Sequence, residues 1–281
     1  MRRLLGISLL LTVLILLART ADRPSSASIA QSPIPAAQDW LVRHQSEDGL
    51  WHAGRPDPCR VPTVFEVDEA LTALAIVALD EGEPRRRGVQ ALIAAQRSDG
   101  AFGPLGAAKQ RFNWILATWA LAQLAPKEAA TRKALKRVEA EALTRSLDDC
   151  EAGWALLAFE AARASLLPVR AGAEDAAKET LRAAVEAARH TTDVIPAMHA
   201  RFGGAASVPS ISASDDLHLL YFALPVRPVD APDVVRYLLG SQATSGCARG
   251  SWPPDRWWGT AGGRVYATAT AILILREAEK K

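Results

Sequence analysis

Apolar residues recur along this chain in five runs of helical spacing: Glu66–Leu79, Phe112–Leu124, Cys150–Ala164, Leu217–Leu224 and Val265–Leu275. Alanine is abundant in them, as close helix-on-helix packing favours. No comparable stretch alternates with period two, so strands are not expected and the chain reads as all-α.

A second pattern precedes some of these runs. Trp40–Trp51 reads as the end of an amphipathic helix followed by Gln45, the Asp48-Gly49 turn and Trp51. Leu92–Phe102 repeats that order with Gln96, Asp99-Gly100 and Phe102, and Tyr237–Trp252 keeps Gln242, Gly250 and Trp252 around a short insertion. Gln45 and Gln96 stand 51 residues apart and Gln96 and Gln242 stand 146 apart, close to three further steps of about 49. A fixed period of this size marks stacked supersecondary units, so five units are expected, the third and fourth without the Gln and Gly. Each unit holds an outer helix before the turn (Ala36–His44, Arg86–Ala95 and Ala231–Gln242 in units one, two and five) and an inner helix after it.

Units of about fifty residues with this helix, Gln, Asp-Gly, aromatic, helix order resemble the repeats of the squalene–hopene cyclases and protein prenyltransferase β subunits. The resemblance covers roughly residues 35–278 and implies an α/α toroid, a ring of outer helices around a ring of inner ones with a central cavity. Chemistry on an apolar, isoprenoid-like substrate would take place there.

Composition narrows the partners. With 281 residues, 49% hydrophobic, 23% charged and a net charge of +2, the chain lacks the basic excess of a nucleic-acid binder, and no nucleic-acid partner is expected. Met1-Arg2-Arg3 and the apolar Leu4–Leu17 have the layout of a secretory signal, short of the about 20 residues usual for a spanning helix. Residues 1–21 therefore read as a signal peptide or membrane anchor, cleaved or retained. Residues 22–35, rich in Ser, Ala and Pro, read as a flexible tether and 36–281 as the toroid domain, exported in either case.

Three places carry candidate chemistry. Glu66-Val67-Asp68-Glu69 opens the first inner helix and resembles the acid motif of the class II terpene cyclases, with Glu for its first and third acids. Asp68 is then a candidate proton donor to an alkene, if burial raises its pKa; otherwise these acids complement a helix dipole. Arg111, Asn113 and Trp114 open the second inner helix, to bind a ligand or to cap and pack. The third inner helix opens with Arg145 and Asp148-Asp149-Cys150, with Trp154 following, and the fourth with Asp215-Asp216-Leu217-His218. Asp148, Cys150 and His218 resemble the zinc ligands of the prenyltransferase β subunits, and Arg145 falls where that family keeps a basic residue for the isoprenoid diphosphate. A helix N-terminus favours the Cys150 thiolate, and three ligands with an open fourth position make a catalytic type of Zn²⁺ site. The plain alternative is that Asp148 and Asp149 cap the helix while Cys150 and His218 are core residues.

Thr191–Ser212 reads as a lid over the ring mouth or an excursion without structure, and Trp252, Trp257 and Trp258 as a seal over the loop face or a surface for a sugar or isoprenoid. Two of the three cysteines of an exported protein are expected to pair. Cys59 and Cys247 follow the outer helices of the first and last units, neighbours if the ring closes, which would leave Cys150 free. Two functions remain open. One is a zinc-dependent transferase or cyclase, or a cyclase using Asp68; the other is a non-catalytic toroid that binds protein, lipid or glycan near the membrane.

Overall fold

The computed structural model describes residues 32–53, 59, 66–103, 110–144, 146–186, 194–204, 208, 210–212, 215–254 and 257–280. The signal or anchor segment, most of the tether and Arg145 lie outside the described residues. Among the described residues the protein is all-α, with eleven α-helices and no strand. Among the described residues no helix is long and apolar enough to cross a membrane.

Five helices carry a narrow buried stripe. These are α1 (Pro33–Arg43), α3 (Glu83–Ala95), α5 (Ala129–Leu143), α7 (Ala173–Glu186) and α10 (Ala231–Ser241). In α7 the stripe is Ala173, Ala177 and Leu181, and in α10 it is Val234 and Leu238; both follow the i, i+4 spacing of a helix with one face on a core. Proline near the first turn of α1, α3 and α10 suits a position whose N–H has no partner inside the helix. This pre-set start is why α1 begins at Pro33 rather than at Ala36.

The other helices are buried on most sides. They are α2 (Asp68–Ala78), α4 (Gln110–Leu124), α6 (Asp149–Ala164), α8 (Val194–Arg201), α9 (Leu217–Ala223) and α11 (Trp257–Glu279), the last broken at Gly263. Contacts run from α2 to α4, α6, α8, α9 and α11, and from α11 back to α2, a closed cycle. Small residues allow the close approach: Gly88 of α3 lies against Ile76 of α2, and Gly153 of α6 against the Met198 sulfur of α8.

The Thr191–Ser212 stretch differs from the sequence reading, because Val194–Arg201 is helical. Val194, Ile195, Ala197 and Met198 are buried, so the segment supplies part of the fourth inner position before the chain reaches α9. Its eight residues are too few for a periodic pattern to stand out, and packing against α7, α9 and α6 holds it.

The repeated turn has one job at all three of its sites. Gln45 Nε2 donates to the carbonyl of its own Gly49 and to that of Pro84 in the first turn of α3, both at 2.9 Å. Gln96 does the same to Gly100 at 3.2 Å and to Ala130 of α5 at 2.9 Å. Gln242 bonds Gly250 at 2.8 Å and Pro33, the first residue of α1, at 2.9 Å. The motif glycines hold φ of 88°, 89° and 93°, and a Cβ there would meet the carbonyl oxygens of Arg87, Lys133 and Ala36. The Gln and Gly are thus required for docking the next outer helix, and the last copy docks the first helix.

Cys59 and Cys247 form a disulfide with Cα atoms 5.7 Å apart. Arg264 Nε donates to the Cys59 carbonyl at 2.9 Å, and Arg276 reaches the Val77 carbonyl at 2.9 Å and Asp80 at 2.5 Å. The junction between the first and last units therefore carries a covalent bond as well as hydrogen bonds.

Candidate functional site

The candidate residues gather where the inner helices begin. Asp68 is the first residue of α2. Its carboxylate accepts the Ala53 N–H at 2.7 Å and bonds the Nδ1 of His52 at 2.5 Å, while the Nε2 of His52 reaches Asp48 at 2.7 Å. Asp68 thereby ties the Asp48-Gly49 turn to the helix that follows it, a role close to the first-turn acid that the sequence allowed.

Glu69, beside it, has its carboxyl pushed up by burial, opposed by backbone N–H groups including that of Gly103 in the next unit, and raised again by the Asp68 charge. The sequence contained this carboxyl in the same acid run, with nothing to say which member would be buried. Asn113, fully buried, accepts the Ala70 N–H at 3.2 Å and donates to the Glu66 carbonyl at 2.9 Å, so it ties α4 to the start of α2.

At α6 the spacing of Asp148 and Cys150 has its expected result, with Asp148 as N-cap and Cys150 just inside the helix. Asp148 Oδ1 accepts the Glu151 N–H at 2.7 Å, and Glu151 Oε2 accepts the Asp148 N–H at 2.9 Å, a reciprocal capping box. Glu151, buried, also pairs with Arg111 of α4 at 3.1 Å. Arg111 in turn donates to the Ser146 carbonyl. The Asp148-x-x-Glu151 spacing was readable as a cap in the sequence, whereas the arginine that neutralises Glu151 comes from another unit.

His218 is fully buried in the first turn of α9, behind the N-cap Asp216, whose Oδ1 accepts the His218 N–H at 2.8 Å. Its Nε2 accepts the indole N–H of Trp154 at 3.1 Å, which joins α6 to α9. Burial holds the imidazole neutral, with its pKa pushed down to about 3. Trp154 stacks on Tyr221 with ring centroids 5.6 Å apart and meets Phe112, Trp119 and Phe222 edge-on. Aromatic side chains of α4, α6 and α9 thus fill the space between those helices.

Tyr266 of α11 joins the same region. Its phenol is raised well above the ordinary range, by burial first and then by the charges of Asp216 and Cys150. The Trp154–His218 bond links α6 to α9 in this region. Asp148 holds its cap, and the Nε2 of His218 holds the indole. Among the described residues no three of His, Cys, Asp and Glu are grouped so as to hold a metal ion. As they stand, the side chains do not fit a three-ligand zinc site.

A hollow lies elsewhere, beside α3. A cleft of about 590 Å³ runs between α3 and the α4–α5 junction, with Val89, Ile93, Leu124 and Pro126 as its apolar part and Arg85 and Lys127 among its polar lining. No protein-family model, curated protein or solved structure matches this chain.

Proposed function

We propose that the protein is an exported α/α toroid of the prenyltransferase and squalene-cyclase repeat type that serves as a non-catalytic binding ring, kept near a membrane by its N-terminal segment. The observation that carries this reading is the use already made of the chemical groups. The Asp68 carboxylate takes the Ala53 N–H and His52, Asp148 caps α6, and His218 receives the Trp154 indole. These contacts hold helices together and leave the described acids and imidazole engaged with protein. Export is supported by the Cys59–Cys247 bridge, since structural disulfides persist in oxidising compartments.

The ring's ligand is then a protein, lipid or glycan met through a loop face or cleft. The cleft beside α3 has the volume of an ordinary ligand pocket and an apolar floor of Val89, Ile93 and Leu124, suited to an acyl chain or an apolar side chain.

The competing reading is a zinc enzyme acting on an isoprenoid-like substrate, favoured by Cys150 in the first turn of α6 and by the neutral imidazole of His218, which Trp154 links to that helix. It requires His218 to exchange its indole for the metal and Asp148 to leave its cap. Metal analysis of the purified full-length chain decides between the two. The binding ring predicts no stoichiometric zinc and no turnover of squalene or a prenyl diphosphate. Stoichiometric zinc that is lost in Cys150→Ala and His218→Ala would overturn it, as would a cyclase activity that disappears in Asp68→Asn.

A further inference from the structure

The first helix belongs, by its contacts, to the last unit. Three outer helices pack on the inner helix that precedes them in sequence, α3 on α2, α5 on α4 and α7 on α6. Among the described residues no helix precedes α1, and it packs on α11, the final one. Three hydrogen bonds fasten it there: Gln242 Nε2 to the Pro33 carbonyl at 2.9 Å, Trp40 Nε1 to the Cys247 carbonyl at 3.1 Å, and Arg43 to the Arg249 carbonyl at 3.0 Å.

The turn that follows α1 is held by the second unit through Gln45 to Pro84, and by its own inner helix α2 through the Trp51 N–H to Thr72 Oγ1 at 3.0 Å. Pro33–Ala53 is thus a keystone seated between the two ends of the ring. Its only covalent link to the rest of the ring, apart from the disulfide, is the chain between Ala53 and Glu66, which includes Cys59.

The seat it occupies is not unique to its own copy. The Gln242–Pro33 contact repeats the Gln45–Pro84 and Gln96–Ala130 contacts, down to the glycine pressed on a carbonyl three residues further along the helix. A keystone from a second copy would make every one of these bonds unchanged, so exchange sacrifices no contact and is governed by concentration. We propose that Pro33–Ala53 is an exchangeable closing segment whose partner, when its own seat is not taken, is a second copy of this chain, and that the Cys59–Cys247 bond fixes the choice in favour of the closed monomer. The inference concerns closure alone and stands apart from the ligand reading above.

The test uses two full-length variants, Cys59→Ser and Cys247→Ser, each also carrying Cys150→Ser. Neither can form its own bridge. Refolded together under oxidising conditions, they are expected to give a species of doubled mass on non-reducing electrophoresis. Its linkage, mapped by mass spectrometry, is Cys59 to Cys247, in about tenfold or greater excess over the two symmetric linkages and rising with concentration. Linkages in statistical proportion, or monomers alone, overturn the proposal. Should the variants fail to fold, the unaltered chain serves instead, reoxidised from the reduced, unfolded state at two concentrations about a hundredfold apart. A covalent dimer with Cys59–Cys247 bonds at the higher concentration supports exchange, and monomer at both overturns it. Either failure leaves the closed monomer itself untouched, because that rests on the intramolecular bond.

Discussion

Gln242 and Pro33 lie 209 positions apart in the chain and 2.9 Å apart in space, the side-chain amide of the last repeat donating to the first carbonyl of the first helix. The same relation joins Gln45 to Pro84 and Gln96 to Ala130 within the chain. Closure of the cycle is therefore one more instance of the bond that connects successive units.

If the three glutamines do the same work, replacing any of them with alanine removes two bonds to half-buried carbonyls. Each of Gln45→Ala, Gln96→Ala and Gln242→Ala is expected to lower unfolding stability by roughly 1–2 kcal/mol, measured by chemical denaturation. Because the disulfide still spans the last junction, Gln242→Ala should lose less in the oxidised protein than after reduction.

The motif glycines make a stricter demand. At Gly250, φ is 93° and an added Cβ would lie 2.1 Å from the Ala36 carbonyl oxygen; at Gly100 the corresponding distance to Lys133 is 2.9 Å. Both alanine variants incur the left-handed backbone cost of roughly 1–2 kcal/mol, and Gly250→Ala must in addition push α1 away. Thermal melts should place Gly250→Ala below Gly100→Ala, and equal losses would mean that α1 yields freely.

His218 gives stability a pH dependence of known sign. Its folded pKa of about 3 lies below the ordinary 6.5, so between those values the unfolded chain holds a proton that the folded chain refuses. Stability is unaffected by this group above pH 6.5 and falls as the pH drops below it, by at most about 1.4 kcal/mol per unit. His218→Gln, which keeps an acceptor for Trp154, should show a shallower loss between pH 7 and pH 5 in denaturation midpoints. An unchanged slope would show that the imidazole is protonated without cost.

Thiol counting checks the covalent junction. The folded chain should take up one equivalent of a thiol reagent after denaturation without reductant and three after reduction. Cys59→Ser, which also opens a loop spanning 188 positions, should lose roughly 2–4 kcal/mol of stability.

Much of this architecture was legible before any coordinates. Inner helices announced themselves as long apolar runs and the turns as Gln, Gly and aromatic at matching intervals, because both depend on residues close in sequence. The Cys59–Cys247 pair followed from placing the first and last units side by side. Val194–Arg201 was not legible, being short and dependent on α6, α7 and α9 for its burial. At the candidate residues the N-cap role of Asp148 was legible, because it is local, whereas the Arg111–Glu151 pair and the Trp154–His218 bond are made across units and left no trace in sequence spacing.

What the sequence determined by itself is the local repertoire: where the long apolar helical runs fall, which faces are apolar, and which three turns share a design. These follow from backbone preferences and short-range periodicity. What only the tertiary structure decided is the partner of each repeated group. A glutamine that can serve any outer helix acquires its meaning from the helix placed beside it. For Gln242 that helix is α1, which packs on the last helix, α11.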